Sequence, residues 1–147
     1  MAAYKFRLQK LFDYKIDIEE EKKNKLGLAI KRLENEKHKL SELKHKLNDM
    51  QNAFQEKTSQ GISVNKLKIL AKYIDYYKRG IKEQKVRIKM AEDYLSLCRE
   101  ELIKATQEKK MMEKLREIDY GKYLYEEQKK EEKLVDDLVS FKESNKS

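Results

Sequence analysis

The sequence predicts an all-α protein: two long helices in an antiparallel coiled-coil hairpin, the second longer than the first and overhanging it. Three observations carry this. The 147-residue chain has no proline, four glycines and no tryptophan, and 42% of it is charged. Apolar residues recur at heptad spacing in two stripes with a single turn cluster between them. The second stripe also runs further than the first can cover.

Proline in a helix interior costs about 3 kcal/mol, so its absence removes the commonest helix stop. Glu, Lys, Leu and Gln dominate, and all favour helix. Such a composition reads as a coiled coil or long helix. Too few apolar residues remain to fill a globular core, although enough are present to close a two-helix seam. The chain therefore reads as one coiled-coil hairpin over residues 1–147.

The first helix is expected at about 4–57. Leu33, Leu40, Leu43, Leu47, Met50 and Phe54 form an a/d seam in which Glu36 replaces an apolar residue. Upstream, Tyr4, Leu8, Leu11, Ile18, Leu26 and Ala29 continue the stripe, with a break in phase near residues 22–26. Such a break reads as a stutter. The stripe stops at "KTSQGISVN", where Thr58, Ser59, Gln60 and Gly61 place a turn at about 58–62. Ser63 is the candidate N-cap of the next helix.

The second helix is expected at about 63–142, before a polar tail at 143–147. Its register runs through Leu67, Leu70, Ile74, Tyr77, Ile81, Ile88, Ala91, Leu95, Cys98, Leu102, Ala105 and Met112, with Gln84 and Lys109 as polar interruptions. If the turn centres near residue 60, residue i faces about residue 121 − i, so Tyr4 lies beside Glu117. Residues 118–142 then lack a partner, an overhang about 37 Å long at 1.5 Å per residue. Its stripe is Tyr120, Leu124, Leu134, Leu138 and Phe141, flanked by Tyr123, Val135 and Val139. An isolated helix of that length is marginal in water, so the overhang requires a partner or frays.

Charge is uneven. Residues 63–90 carry nine basic and two acidic residues, +7 of a total of +8. Residues 1–62 are +4, residues 91–117 are −1 and residues 118–147 are −2. The basic segment also carries Ile69, Tyr73 and Tyr76 off the seam, among Lys72, Lys78, Arg79 and Lys82. These residues are either tolerated surface residues or a contact patch, the latter favoured by two tyrosines clustered with cations.

No catalytic constellation is present. The phosphate-binding pattern G-x-x-x-x-G-K-[ST] is missing. "ELKH" at 42–45 matches the Glu-x-x-His of di-iron bundles. However, His38 and His45 both fall at the outermost heptad position and lie about 10 Å apart along the axis, too far to share an ion. Cys98 occupies a seam position and reads as a small packing residue, and a single cysteine forms no internal disulfide. Met111 and Met112 read as gap-fillers. No cofactor or metal is expected, and the chain is not expected to be an enzyme. Nucleic-acid binding is not expected either, because the lysines surround the helix and no dimer zipper follows them. The apolar face beside the basic one is too narrow for a membrane-surface helix. With no apolar leader segment and no run of 18 apolar residues, the chain reads as soluble and cytoplasmic.

"YKFRLQKLFDYKIDIEEEKKNKL" at 4–26 resembles the opening of the flagellar export protein family FliJ. "EKKMMEKLREIDYGKYLYEEQKKEEKLVDDL" at 108–138 resembles that family's C-terminal signature, with Asp136-Asp137 where Asp-Glu is more usual. The resemblance implies a non-catalytic stalk and adaptor of the bacterial flagellar type III export apparatus, at the inner-membrane basal body. As such it would insert into the export ATPase ring, link it to the cytoplasmic domain of the export gate and handle export chaperones. Length and charge then assign the two ends. Tyr4, Leu8, Leu11, Tyr120, Leu124, Leu134, Leu138 and Phe141 are the candidate ATPase contacts. Ile69, Lys72, Tyr73, Tyr76 and Arg79 are the candidate gate contacts. A generic self-associating coiled coil and a basic nucleic-acid-binding adaptor remain the alternatives.

Overall fold

The computed structural model describes residues 3–146. Two α-helices, α1 (Gln9–Gln60, 52 residues) and α2 (Val64–Asn145, 82 residues), pack against each other as a helical hairpin. No strand occurs among the described residues. Packing divides the chain into two compact units, Met1–Glu21 with Ile103–Ser147, and Lys22–Leu102.

Helix boundaries differ from the sequence expectation at both ends of α1. Residues 4–8 are not helical, and Gln9 N–H donates to the Phe6 carbonyl as the chain enters the helix. At the other end the helix continues to Gln60 rather than stopping at 57. Thr58 and Ser59 are absorbed into its last turn because their hydroxyls donate to the Phe54 and Glu56 carbonyls, at 2.6 and 2.7 Å. The stop is Gly61, at φ +73°. Gly61 N–H donates to the Thr58 carbonyl and Ile62 N–H to the Lys57 carbonyl. This pair of bonds is the Schellman motif. Ser63 precedes the first residue of α2, and its carbonyl accepts from Leu67 N–H.

The Lys22–Leu102 unit holds the turn. Ala29, Leu95 and Cys98 are buried together, with Leu26, Leu33 and Tyr94 packed against them. The buried Gln84 donates to both the carbonyl and the carboxylate of Glu36. A polar interruption of α2 thus meets a polar seam position of α1, and each satisfies the other.

In the other unit, Phe12, Ala105 and Met112 are buried. Glu19 is only 4% exposed, and its Oε1 accepts from Lys109 Nζ at 2.9 Å. Lys15 pairs with Glu108 at 3.0 Å. Polar residues thus occupy the seam here, which corrects the sequence reading of α1. Positions 12, 15, 19, 22, 26, 29, 33 and 36 alternate spacings of three and four without interruption, and all are buried or half-buried. There is no stutter near residues 22–26. Following apolar residues alone shifted the stripe onto Leu8 and Leu11, which are exposed. Phe12 and the charged pairs are the actual seam.

The pairing is also displaced by two residues. Tyr4 meets Asp119, Lys15 meets Glu108 and Lys22 meets Glu101, so in these three pairs residue i meets 123 − i. The cause is the later turn: α1 keeps Thr58 and Ser59, moving its midpoint towards Ile62.

Candidate functional site

Two surfaces carry the sequence-derived candidate residues, one in each unit. In the Lys22–Leu102 unit, Ile69, Lys72, Tyr73, Asp75, Tyr76 and Arg79 line one shallow depression on α2. Tyr73 and Tyr76 are exposed, and Tyr76 packs edge-on against Tyr77 at 5.4 Å between ring centroids. With α2 in register, residues 69 and 76 share one outer heptad position and 73 lies beside it, so all three point away from the seam. The surrounding charge is one-sided. Residues 37–90 hold fourteen basic and five acidic residues, a net +9 against +8 for the whole chain. Such a field attracts acidic segments and raises their rate of encounter.

The second surface is in the other unit, on the part of α2 beyond the reach of α1. Among the described residues, Tyr4 is the last of the N-terminal segment to cover it. Its hydroxyl donates to Asp119 Oδ2 at 2.8 Å, and its ring sits 5.0 Å from Tyr120 and 5.1 Å from Tyr123. Burial, and next the hydrogen bond to Asp119, raise the Tyr4 phenol above its ordinary pKa. Tyr120 is therefore partly covered, and Tyr4 faces Asp119 rather than Glu117, because the register is displaced by two. The bare segment begins at Leu124 instead of residue 118.

From Leu124 to Lys146 every residue except Glu127 is exposed. Leu124, Leu134, Leu138 and Phe141 range from 48% to 64% exposed, with Val135 and Val139 beside them. These exposed apolar residues share one face of α2, of the kind that marks a protein interface. Leu8, just before α1, and Leu11, in its first turn, are 37% and 42% exposed. Tyr4, Phe12, Glu113, Arg116, Glu117 and Tyr120 line a groove between the N-terminal segment and α2. Phe12 and Arg116, which place a guanidinium over a ring at 6.0 Å, escaped the sequence reading. Phe12 could have been found by keeping an unbroken heptad through polar positions.

Other candidates separate from these surfaces. His38 is exposed, with Nε2 3.1 Å from Glu42, and His45 is exposed. No group of three or more metal-ligating side chains occurs among the described residues. Cys98 is buried. No helix among the described residues is long and apolar enough to cross a membrane.

No curated protein and no solved structure matches the chain. The family model described as "Flagellar FliJ protein" matches residues 4–147, essentially the whole length. With two packed helices and a match from the first aromatic of the N-terminal segment to the last residue, the chain belongs to the flagellar FliJ family.

Proposed function

We propose that this flagellar export protein is a non-catalytic stalk. Its Leu124–Phe141 face, with Tyr4, Leu8, Leu11 and Tyr120, docks into the ring of the export ATPase. Its basic, tyrosine-bearing surface engages the cytoplasmic part of the export gate, and export chaperones are further clients. The protein works in the cytoplasm, held peripherally at the basal body through these partners.

The observation that carries the reading is the bare face of α2 in a chain of this family. A helix of about 22 residues covered by nothing is marginal in water. The interior of a ring supplies the missing apolar surface, and binding then orders whatever frays. Coupling requires a second contact elsewhere, and the +9 surface with Ile69, Tyr73 and Tyr76 supplies a chemically different one.

The test mixes the chain with the export ATPase and measures ring assembly and hydrolysis. Removing residues 124–147 leaves the Tyr4, Tyr120 and Tyr123 cluster in place and should abolish stimulation. Full stimulation by the truncated chain would refute the assignment. A concentration-independent dimer of the free chain, lost on the same truncation, would favour the self-associating alternative.

A further inference from the structure

The apolar face beyond Tyr123 does not continue the hairpin seam. In the seam register, positions 126, 130, 133 and 137 follow 119 and 123. They hold Glu126, Lys130, Lys133 and Asp137, all polar and exposed. The residues one position further on are different. Tyr120, Leu124, Glu127, Glu131, Leu134, Leu138 and Phe141 alternate spacings of four and three. Five of these seven are large and apolar. One residue is about 100° of helix, so the second seam faces a direction about 100° from the first. A lengthened α1 would not cover it. The face is built for a helix or groove approaching from another side.

The two exceptions fall together. Glu127 and Glu131 are adjacent on one helical face, with Tyr120 and Leu124 before them and Leu134, Leu138 and Phe141 after. The middle of the face is thus a carboxylate layer about 6 Å long between two apolar layers. Glu127 is half-buried and lies 3.8 Å from Lys130. Glu131 is exposed and makes no ion pair among the described residues. Lys130 borders the stripe one turn from Glu127, and Lys142 borders its end one turn after Leu138, whereas Lys122, Lys129 and Lys133 fall on the other side of the helix.

We infer that the partner surface seated on this face is a protein groove with a layer of Lys or Arg side chains between two apolar layers, matched to Glu127 and Glu131. The inference rests on the docking reading above and specifies the chemistry of the partner. Two other occupants fit poorly. A lipid surface takes an uninterrupted apolar face with basic flanks, and here two carboxylates sit inside the apolar stripe. A second copy seated seam to seam sets Glu127 against Glu127 in parallel register. Antiparallel about the acidic layer, it sets Glu127 against Glu131. Both arrangements oppose like charges in a region the contact would desolvate. A groove with cations there forms charge-assisted hydrogen bonds instead.

The experiment measures affinity of the full-length chain for the export ATPase across a salt series, with helix content checked by circular dichroism. The double variant Glu127→Gln with Glu131→Gln should weaken binding at least about tenfold and flatten its salt dependence. Glu126→Gln with Glu132→Gln removes the same charge off the stripe and should bind like wild type. Equal weakening by both pairs would reduce the effect to long-range attraction and overturn the inference. No change with the first pair, while Leu134→Asp with Leu138→Asp abolishes binding, would also overturn it and leave the docking reading standing. Undiminished binding by the Leu134→Asp, Leu138→Asp variant, or none by the wild-type chain, would instead overturn the docking reading itself. Concentration-dependent growth of the chain alone, lost with Leu134→Asp and Leu138→Asp, would make a second copy the occupant and overturn the inference.

Discussion

Two leucines of α2 should respond in opposite ways to the same substitution. Leu95 is 7% exposed in the cluster with Ala29 and Cys98, and Leu134 is 61% exposed on the bare face. Leu→Ala removes the equivalent of about three methylenes, or about 2.4 kcal/mol of transfer free energy when burial is complete. At Leu95 nearly all of this is lost, and incomplete collapse of the site adds to it, so about 3 kcal/mol is expected. At Leu134 about 39% of the surface is covered, which limits the loss to about 0.9 kcal/mol. Alanine's better helix propensity offsets part of that. Thermal unfolding followed at 222 nm should therefore show Leu95→Ala melting about 6–12 °C lower and Leu134→Ala within about 3 °C of wild type. In ATPase binding the order should reverse, with Leu134→Ala the weaker binder. If Leu134→Ala destabilised the free chain as much as Leu95→Ala, the face would already be covered and the docking argument would fail.

Lys25 first, then Lys22, holds the Glu101 carboxyl below its ordinary pKa, and Lys15 does so for Glu108. A depressed carboxyl stabilises above its unfolded value of about 4.3 and loses that contribution as pH falls through the folded value. Helix melting in acid should therefore steepen below about pH 4, and Glu101→Gln with Glu108→Gln should flatten the profile. At the other extreme, pairing with Glu101 raises Lys25, and the hydrogen bond to Glu19 raises Lys109. Their stabilisation is complete below about pH 10.4 and is lost as pH climbs through the raised values, so an alkaline titration should show late melting. Gly61→Ala should cost about 1 kcal/mol through its positive φ alone, since a Cβ there meets nothing within 4 Å. Gly27→Ala, helical and equally open, should raise the melting temperature. Tyr73→Ala with Tyr76→Ala should leave the circular dichroism spectrum unchanged and weaken docking to the export gate. Lost helicity would show that these side chains pack in the seam.

Much of the fold was legible because heptad spacing is a local property. The α2 register from Leu67 to Met112 could be read directly, since its apolar residues recur with only Gln84 and Lys109 interrupting. The first half of α1 misled for the same reason. Its seam holds Lys15, Glu19 and Lys22, and a search for apolar residues drifts onto Leu8 and Leu11. The chain accepts charge at those positions because partners from α2 arrive opposite them, as Lys109 does for Glu19. No one-dimensional pattern displays such a partner.

Helicity, a single reversal near Gly61 and an α2 longer than α1 can cover were all readable from the order of residues. Composition, heptad spacing and a residue suited to positive φ act within a few residues of each other. The pairing of the two helices became visible only in the folded molecule. The hydroxyls of Thr58 and Ser59 kept two turn-forming residues inside α1, and with that later turn Tyr4, Lys15 and Lys22 meet partners two residues further along α2. This pairing brought Tyr4 onto Asp119, Tyr120 and Tyr123, and so set Leu124 as the point where cover ends. Register depends on which distant groups satisfy one another across the seam, and that is settled only when both helices are in place.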